Sequence, residues 1–294
     1  MRGADVSKWI LVAALTACSS LGGGTAPASE DTSFAGPFSV TILGYDGHAM
    51  EPFLTRDGQH LLFNNRNAPA DSTDLHIATR VSDGTFQYDG PLGALNGATL
   101  DAVPTGASNG NIYFVSLRAY DSTFSTIFSS TLVGTSASPP TRVTSIATTG
   151  GGWLDFDVDV AADDQSLILA RGRFTGAAFP AEADLKLFVR VGPGFAAAAD
   201  SDARFAAVNT AALEYAPAIS ADGLELSFTR WDVGTGDPVL MLARRATLAS
   251  AWDAPRRLRG PQGIVEAGTW SPDGRTLYFH ANVAGRYVIQ RMTR

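Results

Sequence analysis

Cysteine, lysine and histidine are scarce in this sequence. There is one cysteine, Cys18, two lysines, Lys8 and Lys186, and four histidines in 294 residues. A single thiol excludes an internal disulfide and cannot by itself build a structural zinc site. His48, His60, His76 and His280 show no metal-ligand spacing, so no metal and no cofactor are expected. Charged residues make up only 17% and the net charge is −7. That balance argues against nucleic-acid binding, which needs a basic footprint to displace counterions from phosphates. Beyond residue 35 no long segment has the 3.6-residue period of an amphipathic helix.

What is present is apolar and rich in turns. Hydrophobic residues make up 45%, with 30 glycines and 15 prolines. This composition excludes a disordered chain and points to a globular all-β body. The length fits two average domains, yet propellers and barrels of about 250 residues form one.

The start of the chain is different. Arg2 and Lys8 flank a short apolar run at residues 9–17, which is too brief to cross a bilayer but suits a signal-peptide core. Leu15-Thr16-Ala17-Cys18 follows. This run resembles the lipobox of bacterial lipoproteins, which implies cleavage before Cys18 and attachment of lipid to its sulfur. Several acyl chains on one residue make a durable anchor where one is marginal. Ser19 after the cysteine implies sorting to the outer membrane, facing the periplasm or the cell surface. Residues 18–36 are small and polar and read as a flexible tether, leaving 37–294 as the folded domain.

That domain repeats itself. Glu51 to Phe63, Asp101 to Phe114, Asp157 to Leu169, Glu214 to Phe228 and Glu266 to Phe279 align, and their closing residues lie 51, 55, 59 and 51 apart. Each unit has a short strand, an Asp-Gly or Asn-Gly turn, and a second strand; unit three has Asp163-Asp164 instead. Second strands such as Leu61-Leu62-Phe63 are apolar at consecutive positions, so both faces must be covered. A radial stack of sheets does this. Third strands follow in every unit, and weaker fourth strands are expected near 86–95, 141–147, 204–209 and 253–259. The fifth unit lacks a fourth strand, whereas Phe38 to Leu43 is an orphan ahead of the first. The expected architecture is a five-bladed β-propeller with four-stranded blades, the last completed by this N-terminal strand, which leaves no open edge.

Ser271-Pro272-Asp273-Gly274-Arg275-Thr276-Leu277-Tyr278-Phe279, with Pro217 to Phe228 and Pro52 to Phe63, resembles the WD40-like repeat of TolB-type β-propellers over residues 38–294. The resemblance implies a structural role for the turn residues Asp57, Asp222 and Asp273.

Loops entering the innermost strands and loops joining second to third strands should open on one face, the upper face, with the Asp-Gly turns on the lower. Glu51, Asp101, Asp157, Glu214 and Glu266 are expected around the channel mouth, joined by Asp155 and Asp159. Arg66, Arg118, Arg171 and Arg230 should lie near second-strand ends, and the loop from Arg171 to Ala183 should rise beside them. One reading pairs these carboxylates with arginines around a wet channel. The other makes them a ligand pocket for carbohydrate binding or acid/base work, with Trp153 or Trp231 as a stacking platform. No catalytic residue is assigned. The favoured expectation is a non-enzymatic, monomeric envelope lipoprotein whose propeller serves as a scaffold for an envelope protein or a cell-wall component. A carbohydrate-binding or glycoside-processing propeller is the alternative.

Overall fold

The computed structural model describes residues 29–68 and 73–294, so the expected signal segment and Cys18 lie outside the described residues. Each repeat folds as a small antiparallel sheet whose strands follow one another in the chain. Blade 1 runs outward through Met50–Leu54, His60–Asn64, Leu75–Ser82 and Thr85–Pro91. Blade 2 uses Asp101–Gly106, Asn111–Ser116 and Ile127–Val133, edged by the short strands Ser136–Ala137 and Thr141–Arg142. Trp153–Val160, Ser166–Arg173, Glu182–Val191 and Gly194–Ala197 make blade 3. Blade 4 has Leu213–Ile219, Glu225–Trp231, Val239–Arg244 and Arg256–Leu258; blade 5 has Val265–Trp270, Thr276–Val283 and Arg286–Thr293. The innermost strands pack side by side around the ring, and Val265–Trp270 meets Met50–Leu54 to close it. The architecture is a five-bladed β-propeller.

The core is a ring of five seams, one per pair of neighbouring blades. The closing residues Phe63, Phe114, Leu169, Phe228 and Phe279 are each fully buried in a seam. Burial of one such side chain stabilises the fold by roughly 1.5–3 kcal/mol.

The lower-face turns share one device. Asp57, Asn109, Asp163, Asp222 and Asp273 each accept, through the side chain, the N–H two residues on, at 2.9–3.0 Å. The next residue is left-handed in every case: Gly58, Gly110, Asp164, Gly223 and Gly274. Asp164 adopts this conformation without being glycine because Asn109, Asn111, Tyr113 and Arg190 all hold its carboxylate. Unit three therefore keeps the turn although its sequence has Asp163-Asp164 in place of an Asp-Gly pair.

Ala35–Ser39 pairs antiparallel with Arg286–Thr293 and supplies the missing strand of blade 5. The expected strand from Phe38 to Leu43 is divided, however. After Val40, Thr41–Leu43 crosses the seam and adds a parallel strand to the outer edge of blade 1. Val40 and Ile42 pack against the apolar cluster between blades 5 and 1, so one segment covers two edges. The span expected as tether is also partly docked, since Glu30–Asp31 pairs parallel with Arg257–Leu258 of blade 4. Asp31 is buried there against Arg244, at 2.8 Å.

The fourth strand of blade 3 is not at 204–209. Gly192, at φ 57°, permits a tight turn into Gly194–Ala197, which completes the sheet early. Ser201–Arg204 is then a single helical turn that places Phe205 and Val208 in the seam with Trp252.

Candidate functional site

The site is built by an irregularity shared by all five innermost strands. A bulge interrupts each pairing of first and second strands, and it falls at Glu51, Val103, Asp157, Ala216 and Ala267 or immediately beside them. Glu51, Val103, Ala216 and Ala267 are left-handed, with φ between 48° and 55°. That conformation costs about 1–2 kcal/mol for a residue with a Cβ. The freed N–H offsets part of this by reaching across the seam. Glu51 donates to His280 Nδ1 at 3.1 Å, Val103 to Asn64 Oδ1 at 3.1 Å, Ala216 to Asp157 Oδ2 at 3.0 Å and Ala267 to Thr229 Oγ1 at 3.2 Å. Four seams are stitched in this way, and Val160 N–H to Thr105 Oγ1, at 3.3 Å, serves the fifth.

The bulge sorts the expected ring of carboxylates into two sets. Asp101 and Glu214 lie two residues before the left-handed residue of their strands, Asp155 lies directly before Phe156, the extra residue of blade 3, and all three face outward along their own blades. Asp101 pairs with Arg118, Asp155 takes Arg171 through both oxygens at 2.7 and 2.9 Å, and Glu214 takes Arg230 at 2.7 Å. Burial raises all three pKa values, against the pull of these arginines. These three are the arginine-paired carboxylates of the first reading, and they do not line the pocket.

Glu51, Asp157 and Glu266 sit at the bulge or next to it, and all three border one cavity on the upper face, of about 120 Å³. A single water needs about 10–15 Å³ on this scale, so the space suits one small ring. Among the described residues no arginine or lysine lies within ion-pair distance of these three. Asn67 Nδ2 donates to Glu51 at 2.9 Å. Tyr215 donates its hydroxyl to one oxygen of Glu266, and His280 Nε2 lies 3.2 Å from the other. The Glu51 N–H points into His280 Nδ1, which makes that nitrogen an acceptor and leaves Nε2 to donate to Glu266.

Burial is the largest electrostatic influence on the group. It raises Glu51, aided by the Glu266 charge and opposed by His280. It raises Asp157 well above the usual carboxylate range, reinforced by Glu51 and Glu266. It also lifts the Tyr215 hydroxyl, with Glu266 adding to the effect. For His280 burial works against the cation, while the hydrogen bond to Glu266 and the charges of Glu51 and Glu266 raise the pKa. A proton on Nδ1 would cost the Glu51 N–H its acceptor, so this bond holds the imidazole neutral.

The walls are apolar and aromatic: Phe156, Phe174, Phe179, Tyr215 and Trp231. The loop after Arg171 rises as expected and contributes Phe174 and Phe179, the latter meeting Trp231 edge-on at 5.0 Å. Trp153 is not part of this pocket and lines a separate cleft with Arg171 and Asp184. Asp159 lies deeper, where Thr105, the Ile219 N–H and Arg56 hold it.

Arg56 closes the lower end of the channel. It donates to the carbonyls of Gly106 at 3.0 Å, Ile219 at 3.3 Å and Val160 at 2.6 Å, on three different blades. A planar five-donor fork suits this bridging geometry. Sequence reasoning did not identify Arg56, Tyr215 or His280 as site residues. A signal existed for His280: Asn64, Thr229 and His280 each follow a closing phenylalanine, and each accepts a seam bond.

No protein-family model matches the chain, and no curated protein matches it. Among solved structures it is similar to a thermostable family-43 glycoside hydrolase at 11% identity and TM-score 0.55, covering 85% of this chain and 90% of that one. A family 117 glycoside hydrolase from the marine bacterium Zobellia galactanivorans gives 12% and 0.55, covering 91% and 90%. TolB from Acinetobacter baumannii gives 13% and 0.46; the match covers 84% of this chain but only 54% of TolB. At such identities the likeness to the two hydrolases concerns the fold alone, and it is the five-bladed β-propeller already described.

Proposed function

We propose that the upper-face pocket is a carbohydrate-directed site on a lipid-anchored envelope protein. One observation carries this reading: Glu51, Asp157 and Glu266 meet in an aromatic-walled cavity without the arginines that neutralise Asp101, Asp155 and Glu214. Carboxylates accept sugar hydroxyls, and the faces of Trp231 and Phe156 suit the apolar face of a pyranose ring. Glycoside processing at this site would use Asp157 as proton donor, because burial and the charges of Glu51 and Glu266 raise its pKa and so favour its protonated form. Glu266, accepting hydrogen bonds on both oxygens, would be the carboxylate partner. The family-43 and family 117 neighbours are glycoside hydrolases by name, which adds precedent on this architecture and no more.

The second reading is a scaffold for an envelope protein or a cell-wall component, favoured by the mostly apolar wall, which would also seat a protruding peptide side chain. Anchoring through Cys18 in the outer membrane belongs to both readings and is supported by Leu15-Thr16-Ala17-Cys18. The deciding experiment screens the protein against an array of envelope and plant glycans, with Asp157→Asn and Glu266→Gln variants beside it. Specific glycan binding lost in both variants is the expected result. A blank array, together with a protein captured from envelope extracts whose binding needs Trp231, would overturn the carbohydrate reading in favour of the scaffold.

A further inference from the structure

We propose that the lower face of the propeller rests on a lipid bilayer, so that the pocket opens away from the membrane; this rests on the lipid-anchor reading of Cys18. The first ground is where the described chain begins. Strands alternate in direction from the channel outward, so the fourth strand of each blade runs from the lower face to the upper. Glu30–Asp31 pairs parallel with Arg257–Leu258 in the fourth strand of blade 4, and its chain therefore enters from below. Ser29, whose carbonyl accepts the Arg257 N–H at 3.0 Å, lies on the lower side of that pair. Cys18 is eleven residues earlier, a separation of at most about 40 Å along the chain.

The second ground is independent of the first. Among the described residues, the four most exposed large apolar side chains are Val133 at 74%, Val81 at 61%, Val191 at 60% and Leu248 at 56%. All four lie at or beside the connection between third and fourth strands, on blades 2, 1, 3 and 4, and these connections are on the lower face. Val133 directly precedes Gly134 and Val191 directly precedes Gly192, so both occupy hairpin tips where no core demands an apolar side chain. Leu248 stands over the lower-face turn at Gly223. Four apolar tips would partition weakly into a membrane from free solution. An acyl anchor changes this, because it holds them at high effective concentration beside the bilayer. Nothing needs to pass through the lower face, since Arg56 closes the channel there.

Cys18 is the only cysteine, so once it is acylated an introduced thiol is unique. The test purifies acylated Val133→Cys, Val191→Cys and Val283→Cys from membranes, labels each with an environment-sensitive fluorophore and reconstitutes them on phosphatidylethanolamine–phosphatidylglycerol vesicles. Val283 adjoins a second-to-third-strand turn on the upper face and serves as control. The expected result is blue-shifted emission and a several-fold loss of iodide quenching at positions 133 and 191 on vesicles, with position 283 unchanged. Vesicle-bound protein with 133 and 191 still quenched as in water, or with 283 shielded instead, overturns the proposed seat while leaving the anchor intact. Mass spectrometry showing an unmodified Cys18 in the membrane-purified protein overturns the anchor reading and the seat together.

Discussion

Ala216 donates its N–H to Oδ2 of Asp157 at 3.0 Å, tying a left-handed residue of blade 4 to a buried carboxylate of blade 3. The bond needs an acceptor but not a charge. Burial, Glu51 and Glu266 all raise the Asp157 pKa, so the ionised form is the costly one. A group whose folded pKa is raised contributes its full stability below the unfolded value, near 3.8, and loses it as pH climbs toward the folded value. Asparagine keeps the acceptor and removes the titration. Asp157→Asn is therefore expected to melt a few degrees above the native protein at pH 7, with a flatter dependence on pH between acid and neutrality. Calorimetry over that range checks it. A variant less stable at neutral pH would mean that the charge supports the fold, which would remove a reason to regard Asp157 as a site residue.

Arg56 tests the closure of the channel. Replacing it by methionine removes three bonds to carbonyls and the nearest cation to buried Asp159, 3.7 Å away. Breaking a buried pair on one side typically costs about 3–5 kcal/mol, and a loss of this size is expected in urea denaturation. Arg56→Lys should recover little, because one ammonium cannot bridge three carbonyls in a fixed fork. A loss below about 1 kcal/mol for Arg56→Met, the value of a single ordinary hydrogen bond, would show that the plug does not hold the three blades together.

The fold was legible where the signal is local. An Asx residue, a left-handed residue and a closing aromatic recur within a dozen positions, and Phe63, Phe114, Phe228 and Phe279 are buried as their runs imply. The site was less legible because its chemistry depends on register. Glu51, Asp101, Asp157, Glu214 and Glu266 are 12 to 14 residues before their closing residues, which looks like one ring in sequence. A shift of one residue turns a strand side chain to the other face, and the bulge adds another change of direction. Glu214 therefore meets Arg230, while its neighbour Tyr215 meets Glu266. Arg56 reaches residues 50 to 163 positions away, a convergence that appears only once the ring has closed.

The N-terminal segment yields a third test. Phe34 is 7% exposed, lies 6.0 Å from Trp270 between ring centres, and carries the Arg294 guanidinium 4.9 Å above its face. Phe34→Ala is expected to cost about 3–5 kcal/mol, the usual range for a buried phenylalanine, without altering the pocket. Deleting residues 38–43 should be worse, because it bares the outer edges of blades 5 and 1 at once. Size-exclusion chromatography should then show aggregates, and an unchanged elution and melting profile would contradict the closure.

The two carboxylate sets separate in a final pair of variants. Glu214 accepts Arg230 at 2.7 Å and the Thr210 hydroxyl at 2.6 Å and lies outside the pocket, so Glu214→Gln should cost about 1–3 kcal/mol of stability and leave ligand affinity intact. Glu266 borders the pocket, and Glu266→Gln keeps one acceptor for Tyr215 or His280 while removing the charge. Its melting temperature should change little, whereas affinity for the ligand should fall at least tenfold, the equivalent of about 1.4 kcal/mol. Thermal melts and titration calorimetry on the same preparations measure both quantities. If Glu214→Gln loses affinity as steeply as Glu266→Gln, the arginine-paired set belongs to the site after all, and the division made by the bulge has no functional meaning.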